Sequence, residues 1–390
     1  MMLRIAVIVS ILFLASGCLH SFTKPNEINS KAYQTLPPIK PSLPISSREK
    51  ESVVTKVTLG AIGDILIHDR VYADAEQRDG TYNFKKMFAE IQRMLQVPDI
   101  LVANQETMIG GKELRLSTYP SFNSPHEVGD ALKDAGVDLV TIANNHSLDR
   151  GVKVIQSALT YWDTLGIPYT GAFKSQIDHD RIRTITKNDI TFSFLSYTYG
   201  TNGIPLPKGK SYLVNIINET QIHNDVEQAK PISDVVVVAV HWGNEYERFP
   251  NKAQIGLAQK LADLGVHIVI GNHPHVLQPP AWVRGKNGNE TLVLYSLGNF
   301  LSGQSELYTK VGGMASIEVI KTKMLDKSTI KLSKPSFLPT YNYDLNWQQF
   351  KIISMDRLTN EQLNKARSHY EKTKSHMSTS LQDLNIITSN

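Results

Sequence analysis

The stretch "IVIGNHPHVLQ", Ile268 to Gln278, decides how the rest of the chain is read. Ile268, Val269 and Ile270 run straight into Gly271 and Asn272, and then come two histidines separated by one proline. A buried strand that ends in His-Pro-His must satisfy two imidazoles, because an unpaired buried polar group is costly. A shared metal ion satisfies both. In an extended chain, residues i and i+2 point to the same side. Pro274 stiffens the link and blocks a helix, and Gly271 permits a sharp turn off the strand. His273 and His275 then face one pocket and serve one ion, or two ions a few ångströms apart. The remaining ligands have to come from elsewhere in the sequence.

Working outward, "VTKVTLGAIGDI" (from Val54), "DILVANQE" (from Asp99), "VDLVTIANNH" (from Val137), "DVVVVAVHWG" (from Asp234) and "VHIVIGNHPH" (from Val266) read as strands. Between them, "NFKKMFAEIQRML" places Phe84, Met87, Phe88, Ile91 and Leu95 at helical spacing. "EVGDALKDAG", "VIQSALTYWDTLG" and "QIGLAQKLADLG" read as helices that stop at glycine. "IPYTGA" is a short strand. "RIRTITKNDITFSFLSYT" is a hairpin turning at Asn188-Asp189, and "PPAWVRGKNGNETLVLYSLGNFL" and "GGMASIEVIK" are further strands. Strands alternating with helices first, and hairpins later, predict an α/β fold with mixed sheets.

In such folds functional groups gather where strands end at their carboxyl edge. The first predicted strand ends in Asp64, with His68 four residues on, and the second ends in Asn104-Gln105-Glu106. The third ends in Asn144-Asn145-His146, with Asp149 beyond, and the fourth in His241-Trp242-Gly243-Asn244-Glu245. The fifth ends in Asn272, His273 and His275. Each alone is explained by a cap, a turn or a satisfied core histidine. Together they predict a metal or catalytic cluster. Imidazole nitrogen mixed with carboxylate or amide oxygen suits Zn, Mn or Fe better than Mg or Ca. The one cysteine, Cys18, lies far from the folded part, which excludes a thiolate zinc site. Asp149, three residues after His146, is placed to hold that imidazole as a general acid. Arg70, Arg150, Arg248, Lys208 and Lys210 lie near the motif loops, where they either receive an anionic substrate or form solvated surface. Trp242 and Tyr246 either line the pocket or pack its rim. No glycine-rich phosphate loop and no Gly-x-Ser-x-Gly elbow is present.

The chain of 390 residues carries a net charge of only +4, too mild to argue for a nucleic-acid partner. It opens MMLRIAVIVSILFLASGCLH: one arginine, an apolar run too short to span a bilayer, then small residues before Cys18. This predicts a lipoprotein signal over residues 1–17, lipidation at Cys18, and a tether to the extracytoplasmic face of the cell membrane. The Pro-rich stretch 18–53 reads as a disordered linker. The folded domain is expected over 54–345, followed by a C-terminal extension, 346–390, made of a peripheral helix and a frayed tail.

The ordered set "GDILIH", "NQE", "ANNHSLDRG", "HWGNEY", "GNHPHVLQ" and "YSLGNF" resembles the CapA family of poly-gamma-glutamate capsule biosynthesis proteins, over about Val57 to Ser302. That family is related to the calcineurin-like metallophosphoesterases. The resemblance therefore implies a four-layer α-β-β-α sandwich with a metal site of one or two divalent transition ions. It implies Asp64 and His275 as ligands of the first metal and Glu106 as the bridging carboxylate. Asn145, His241 and His273 would serve the second, with His146 as the acid. Metallophosphoesterases carry Asp-x-His at the first strand; here Leu66 stands in that place and His68, two residues later, is the replacement candidate. Arg150, Trp242, Glu245 and Asn272 are the substrate-side candidates. The implied role is synthesis or export of the capsule polymer, in complex with a polyglutamate synthase and with metal serving polymer handling. The alternatives are a surface metal-dependent phosphoesterase unrelated to capsule, and a binding lipoprotein with an inert site.

Overall fold

A computed structural model describes residues 52–325 and 327–389. The signal segment, Cys18 and the linker lie outside the described residues. In chain order the strands are β1 Val53–Leu66, β2 Ile100–Gln105, β3 Leu139–Thr141, β4 Tyr169–Thr170, β5 Arg183–Lys187, β6 Ile190–Thr198, β7 Val235–His241 and β8 Ile268–Asn272. They continue as β9 Leu277–Gln278, β10 Ala281–Arg284, β11 Glu290–Leu294, β12 Ser296–Leu297, β13 Asn299–Ser302, β14 Val311–Met324, β15 Lys327–Leu345, β16 Gln348–Ser354 and β17 Asn385–Ile386.

A nine-stranded sheet runs β16-β15-β14-β1-β2-β3-β4, with β13 added beside β1 and β17 beside β15. A six-stranded sheet runs β10-β11-β8-β7-β6-β5. Strands β1 to β4 are mutually parallel, as are β6, β7, β8 and β11, and β13 and β17 also join parallel, while β14, β15, β16, β10 and β5 pair antiparallel. Both sheets are therefore mixed.

The period of two along each strand sorts the side chains into layers. Val57, Leu59, Ala61, Ile100 and Val102 of the first sheet meet Val235, Val237, Ala239, Ile268 and Ile270 of the second in a core between the sheets. The alternate residues Leu101, Ala103 and Val140 face outward, against helices Glu127–Ala135 and Gly151–Leu165. Val236, Val238, Val240 and Val269 face outward on the other side, against helices Glu219–Ala229 and Lys252–Asp263. The order is helix, sheet, sheet, helix. Strands buried on both faces read as continuous apolar runs, which is why "VVVVAV" carries no polar alternation. Among the described residues no helix is long and apolar enough to cross a membrane.

The hairpin turns where the sequence places it: Asn188 and Asp189 have φ of 46° and 59°, the left-handed pair a two-residue turn demands. Three expectations are corrected. The helix over Asn83–Leu95 is broken into Lys85–Phe88 and Gln92–Leu95, although Phe84, Met87, Phe88, Ile91 and Leu95 are all buried. Separate turns bury the same apolar side chains without one continuous helix. Gly271 lies inside β8 and makes no turn; a Cβ there would stand 2.1 Å from the Tyr295 carbonyl oxygen, so the glycine serves close approach of backbone. Residues beyond 345 are not peripheral. β16 continues the first sheet with Phe350 and Ile352 buried, and β17 pairs with Ser336 and Phe337. Helix Ala366–Met377 contributes Tyr370 and Met377 to the inter-sheet core. The missed signal is the alternation in "FKI", which pays its way only as a strand.

His267, next to β8, tests the packing of the second sheet. Its Nδ1 accepts the Val236 N–H at 3.1 Å, and burial holds the imidazole down at about 4. An unfolded histidine titrates near 6.5, so between these values the unfolded chain binds the extra proton. This contribution, on the order of 3 kcal/mol, is complete above pH 6.5 and is lost as pH falls toward 4. His267→Asn keeps an acceptor without a titration. Its melting temperature is expected to fall less than the wild type's between pH 7 and pH 5, by a few degrees; identical curves would count against this assignment.

Candidate metal centre

Parallel strands bring their carboxyl ends to one rim. In the first sheet, Asp64 of β1 stands level with Asn104 of β2 and Asn299 of β13. In the second, His241 of β7 stands level with Asn272 of β8. Just past these ends lie Glu106, Asn145, His146, His273 and His275, all buried.

The two histidines converge by a route other than the extended one the sequence suggests. His273 and His275 have φ of 99° and 58°, left-handed backbone that costs non-glycine residues about 1–3 kcal/mol each. The Pro274 carbonyl between them accepts the Tyr246 N–H at 2.8 Å, and the Asn272 carbonyl accepts the Trp242 N–H at 3.1 Å. A tight kink, tied to the loop after β7, thus turns both rings inward. Strain of this kind persists where the surroundings over-determine it.

The side chains form one continuous chain of contacts across the two sheets. Asp64 Oδ2 lies 3.3 Å from His275 Nδ1, and His275 Nε2 lies 3.6 Å from Glu106 Oε1. Glu106 Oε1 is also 3.6 Å from His241 Nε2, which is 2.7 Å from Asn145 Oδ1. The His273 ring centroid is 4.8 Å from that of His241. Glu106, His273 and His275 each offer a ligand atom within 4.8 Å of one another.

Hydrogen bonding inside the protein leaves this cluster unfinished. Both Glu106 oxygens, Asp64 Oδ2, His241 Nδ1 and His273 Nδ1 are buried and find no hydrogen-bond partner among the described residues. Buried polar groups are rarely left so, and three orphaned carboxylate oxygens facing imidazoles are what a divalent cation completes. His275 is set up as a ligand through Nε2, since its Nδ1 is engaged by Asn299 Oδ1 at 3.0 Å. Orientation of a ligating imidazole through its other nitrogen is the usual outer-shell device. The donor set fits a divalent transition metal.

Electrostatics agree. Burial pushes the Glu106 carboxyl well above the usual range, with Asp64 adding to the rise and His275 opposing it. Burial pulls His275 down, but the Glu106 and Asp64 carboxylates outweigh it and raise the imidazole to about 9. Burial lowers His241 well below its ordinary value and His273 to about 3. Two neutral imidazoles and two carboxylates therefore share a site that a proton alone serves poorly.

Beside the cluster opens a cavity of about 380 Å³, reached by His146, His275, Glu245 and Tyr246. His146 Nδ1 meets Asp149 Oδ2 at 2.7 Å, and the same carboxylate oxygen accepts the Phe122 N–H at 2.8 Å. The edge of Phe122 packs on the His146 ring, with centroids 4.7 Å apart.

Other candidates are placed differently. His68 lines the cavity but is not in the ligand group; its Nδ1 faces the Leu66 carbonyl and the Gly303 N–H, both at 3.1 Å, and burial lowers it to about 4. Trp242 is buried in the outer core of the second sheet, its indole N–H donating to the Tyr295 carbonyl at 2.9 Å. Arg150 donates to Ser117 Oγ at 2.5 Å and does not line the cavity. Asn272 is buried at the end of β8, its side-chain nitrogen unpartnered. Sequence reasoning gave no role to Asn104, whose Nδ2 donates to Asp64 Oδ1 at 2.7 Å, or to Asn299. It also missed Asn202, which accepts from Asn145 Nδ2 at 3.1 Å and so turns the Asn145 oxygen toward His241. Asn104 and Asn299 do sit in quoted motifs at strand edges; Asn202, in a distant loop, carries no signal.

Imidazole nitrogens and carboxylate oxygens converge between the carboxyl ends of two stacked sheets in a group that could hold a metal ion. The chain belongs to the family described as Bacterial capsule synthesis protein PGA_cap, which matches residues 58–304 and so takes in the whole cluster. It is 28% identical over 279 residues to the PGA biosynthesis protein CapA of Bacillus subtilis strain 168, covering 67% of each chain. It is 28% identical over 277 residues to the capsule biosynthesis protein CapA of Bacillus anthracis, covering 68% of this chain and 64% of that one. The chain thus spans about two thirds of these relatives. Among solved structures, NAD nucleotidase of Haemophilus influenzae aligns with a TM-score of 0.46 and 11% identity, over 86% of this chain and 64% of that one. The 5'-nucleotidase of Candida albicans aligns with a TM-score of 0.37 and 13% identity, over 70% and 50%.

Chelator-stripped full-length protein is expected to bind Zn or Mn in calorimetry, and saturation at 100 times Kd should add about 2.7 kcal/mol of stability. Asn299→Ala, which frees His275 Nδ1, should weaken binding about 10-fold or more, and Glu106→Gln should weaken it further. Wild-type affinity in Glu106→Gln would remove the carboxylate from the site.

Proposed function

We propose that this protein takes part in making or exporting a γ-linked polyglutamate capsule through a divalent metal centre of metallophosphoesterase type. It acts at the extracytoplasmic face of the cell membrane, held there by lipid on Cys18, alongside a polyglutamate synthase. The observation that carries this reading is the Glu106, His273 and His275 group, drawn within 4.8 Å inside the segment that matches the capsule synthesis family. The name of the Bacillus subtilis relative, a PGA biosynthesis protein, points to the polymer, and that of the Bacillus anthracis relative to the capsule.

Asp64, Glu106 and His275 would hold one Mn, Zn or Fe ion; Glu106, Asn145, His241 and His273 would hold a second. A bound ion of this kind supplies Lewis-acid polarisation and charge neutralisation. The chain's own residues do the rest. Asp149 holds His146 by Nδ1, which fixes the ring at the cavity wall with Nε2 left for proton transfer. Phe122 packs against the ring in a T-shaped contact and limits its movement. Gln304 and Tyr246 line the mouth through which an extended anionic chain would pass.

The test is genetic and quantitative. Extracellular polyglutamate is expected to disappear in a deletion strain, to return with the wild-type gene, and to stay absent with Glu106→Gln at equal protein level. Full polymer with Glu106→Gln would detach the metal centre from capsule production. Cys18→Ala should release the protein from membranes and reduce polymer.

The His146–Asp149 pair beside the cluster favours a second reading, a surface metal-dependent phosphoesterase. Under it, Mn-loaded protein turns over a generic phosphodiester, and His146→Ala lowers kcat by about 10²–10⁴ while retaining metal. No turnover by the wild type would exclude this reading.

A further inference from the structure

Of the five basic residues that the sequence places near the motif loops, one lines the cavity: Arg70. Among the described lining residues it is the only arginine or lysine. Its guanidinium carbon sits 3.8 Å from the ring centroid of Trp347. Among the described residues the guanidinium makes no hydrogen bond, and its one ion-pair contact is Nε to Asp69 Oδ1 at a long 3.9 Å. A guanidinium resting on an aromatic face, with its donors uncommitted, is a receptor for a planar oxygen pair.

The seat is built. Trp347 belongs to the turn between β15 and β16, where Asn346 and Trp347 have φ of 51° and 64°. Asp344 Oδ1 accepts the Trp347 N–H at 2.8 Å, and Lys310 holds Asp344 at 2.6 Å. Arg70 lies on helix Asp69–Ala75, and Asp74 of that helix accepts the N–H groups of Gln349 and Phe350 at 2.9 and 3.0 Å. The Asp74 carboxylate therefore clamps the helix that carries the guanidinium to the strand that follows the tryptophan. Gly303 gives room for the stem, since a Cβ there would stand 2.9 Å from Arg70 Cγ. Glu245 and Glu306 also line the cavity. A single guanidinium among two carboxylates holds one anionic group at one place, whereas a wall of arginines and lysines would hold a polyanion in any register.

We propose that Arg70, seated on Trp347, receives a carboxylate of the γ-linked glutamyl chain and fixes its register against the metal centre. This rests on the polyglutamate reading of the site, and the experiment separates the two. Calorimetry on the full-length metal-loaded protein uses a short synthetic γ-linked oligoglutamate and, separately, inorganic phosphate. For oligoglutamate, Arg70→Ala is expected to raise Kd about 10-fold or more, with Zn affinity and melting temperature unchanged. Arg70→Lys should recover only part of the loss, because an ammonium lacks the fork. Trp347→Ala should fall between, and oligoglutamate should change tryptophan emission in the wild type but not in Trp347→Phe. Wild-type Kd in Arg70→Ala overturns the inference while leaving the polymer reading intact. If the wild type ignores oligoglutamate but binds phosphate, the polymer reading fails, and with it the carboxylate as ligand. The receptor role is then judged on phosphate: an Arg70-dependent Kd supports it and an unchanged Kd overturns it. Binding of neither probe by the wild type overturns it as well.

Discussion

The structure depends on a single costly placement: the Glu106 carboxylate, fully buried with neither oxygen hydrogen-bonded. An ionised carboxylate taken out of water loses several kcal/mol even after relaxation. Nothing in the three apolar cores offsets this. What answers it is positive charge, and the surrounding residues are arranged to supply or hold it. His275 is raised to about 9 by the carboxylates beside it. Asn104 and Asn299 occupy the other faces of Asp64 and His275. The left-handed kink at His273 and His275 is a second local cost at the same spot. Two violations of local preference, adjacent to each other at one site, are the mark of function over stability.

The sandwich explains how residues separated by two hundred positions meet. Parallel strands put all their carboxyl ends on one side, and two sheets stacked through Val57, Leu59, Val235 and Val237 bring those ends together. Glu106 leaves the first sheet and His241 ends the second, yet their polar atoms lie 3.6 Å apart. The convergence of these candidate ligands is a consequence of sheet packing before it is a property of any motif.

Much of this was legible in the sequence, for stated physical reasons. Fully buried strands have no polar face, so "VVVVAV" and "IVI" announce themselves. Asn188-Asp189 tolerates left-handed backbone, and Gly136 and Gly166, at φ of 98° and 71°, stop their helices. Polar residues after buried runs mark the rim. What was hidden depends on tertiary context. The Phe84–Leu95 spacing is met by two short turns as readily as by one helix. His68 and Trp242 look alike in sequence to true rim residues, but backbone groups of Leu66, Gly303 and Tyr295 claim them. The kink that turns both imidazoles inward is set by the Tyr246 and Trp242 amides from another loop. No spacing rule encodes such a tie.

The segment after β16 reaches back to the rim. His376 Nε2 meets the carbonyl of Leu277, two residues after His275, at 3.0 Å. The strand leaving the histidine kink is therefore braced by helix Ala366–Met377, which also sends Tyr370 and Met377 into the inter-sheet core. A loosening of that helix would be felt at the kink without any change at the rim itself, so the aim of the two imidazoles is tied to a segment 99 positions away along the chain.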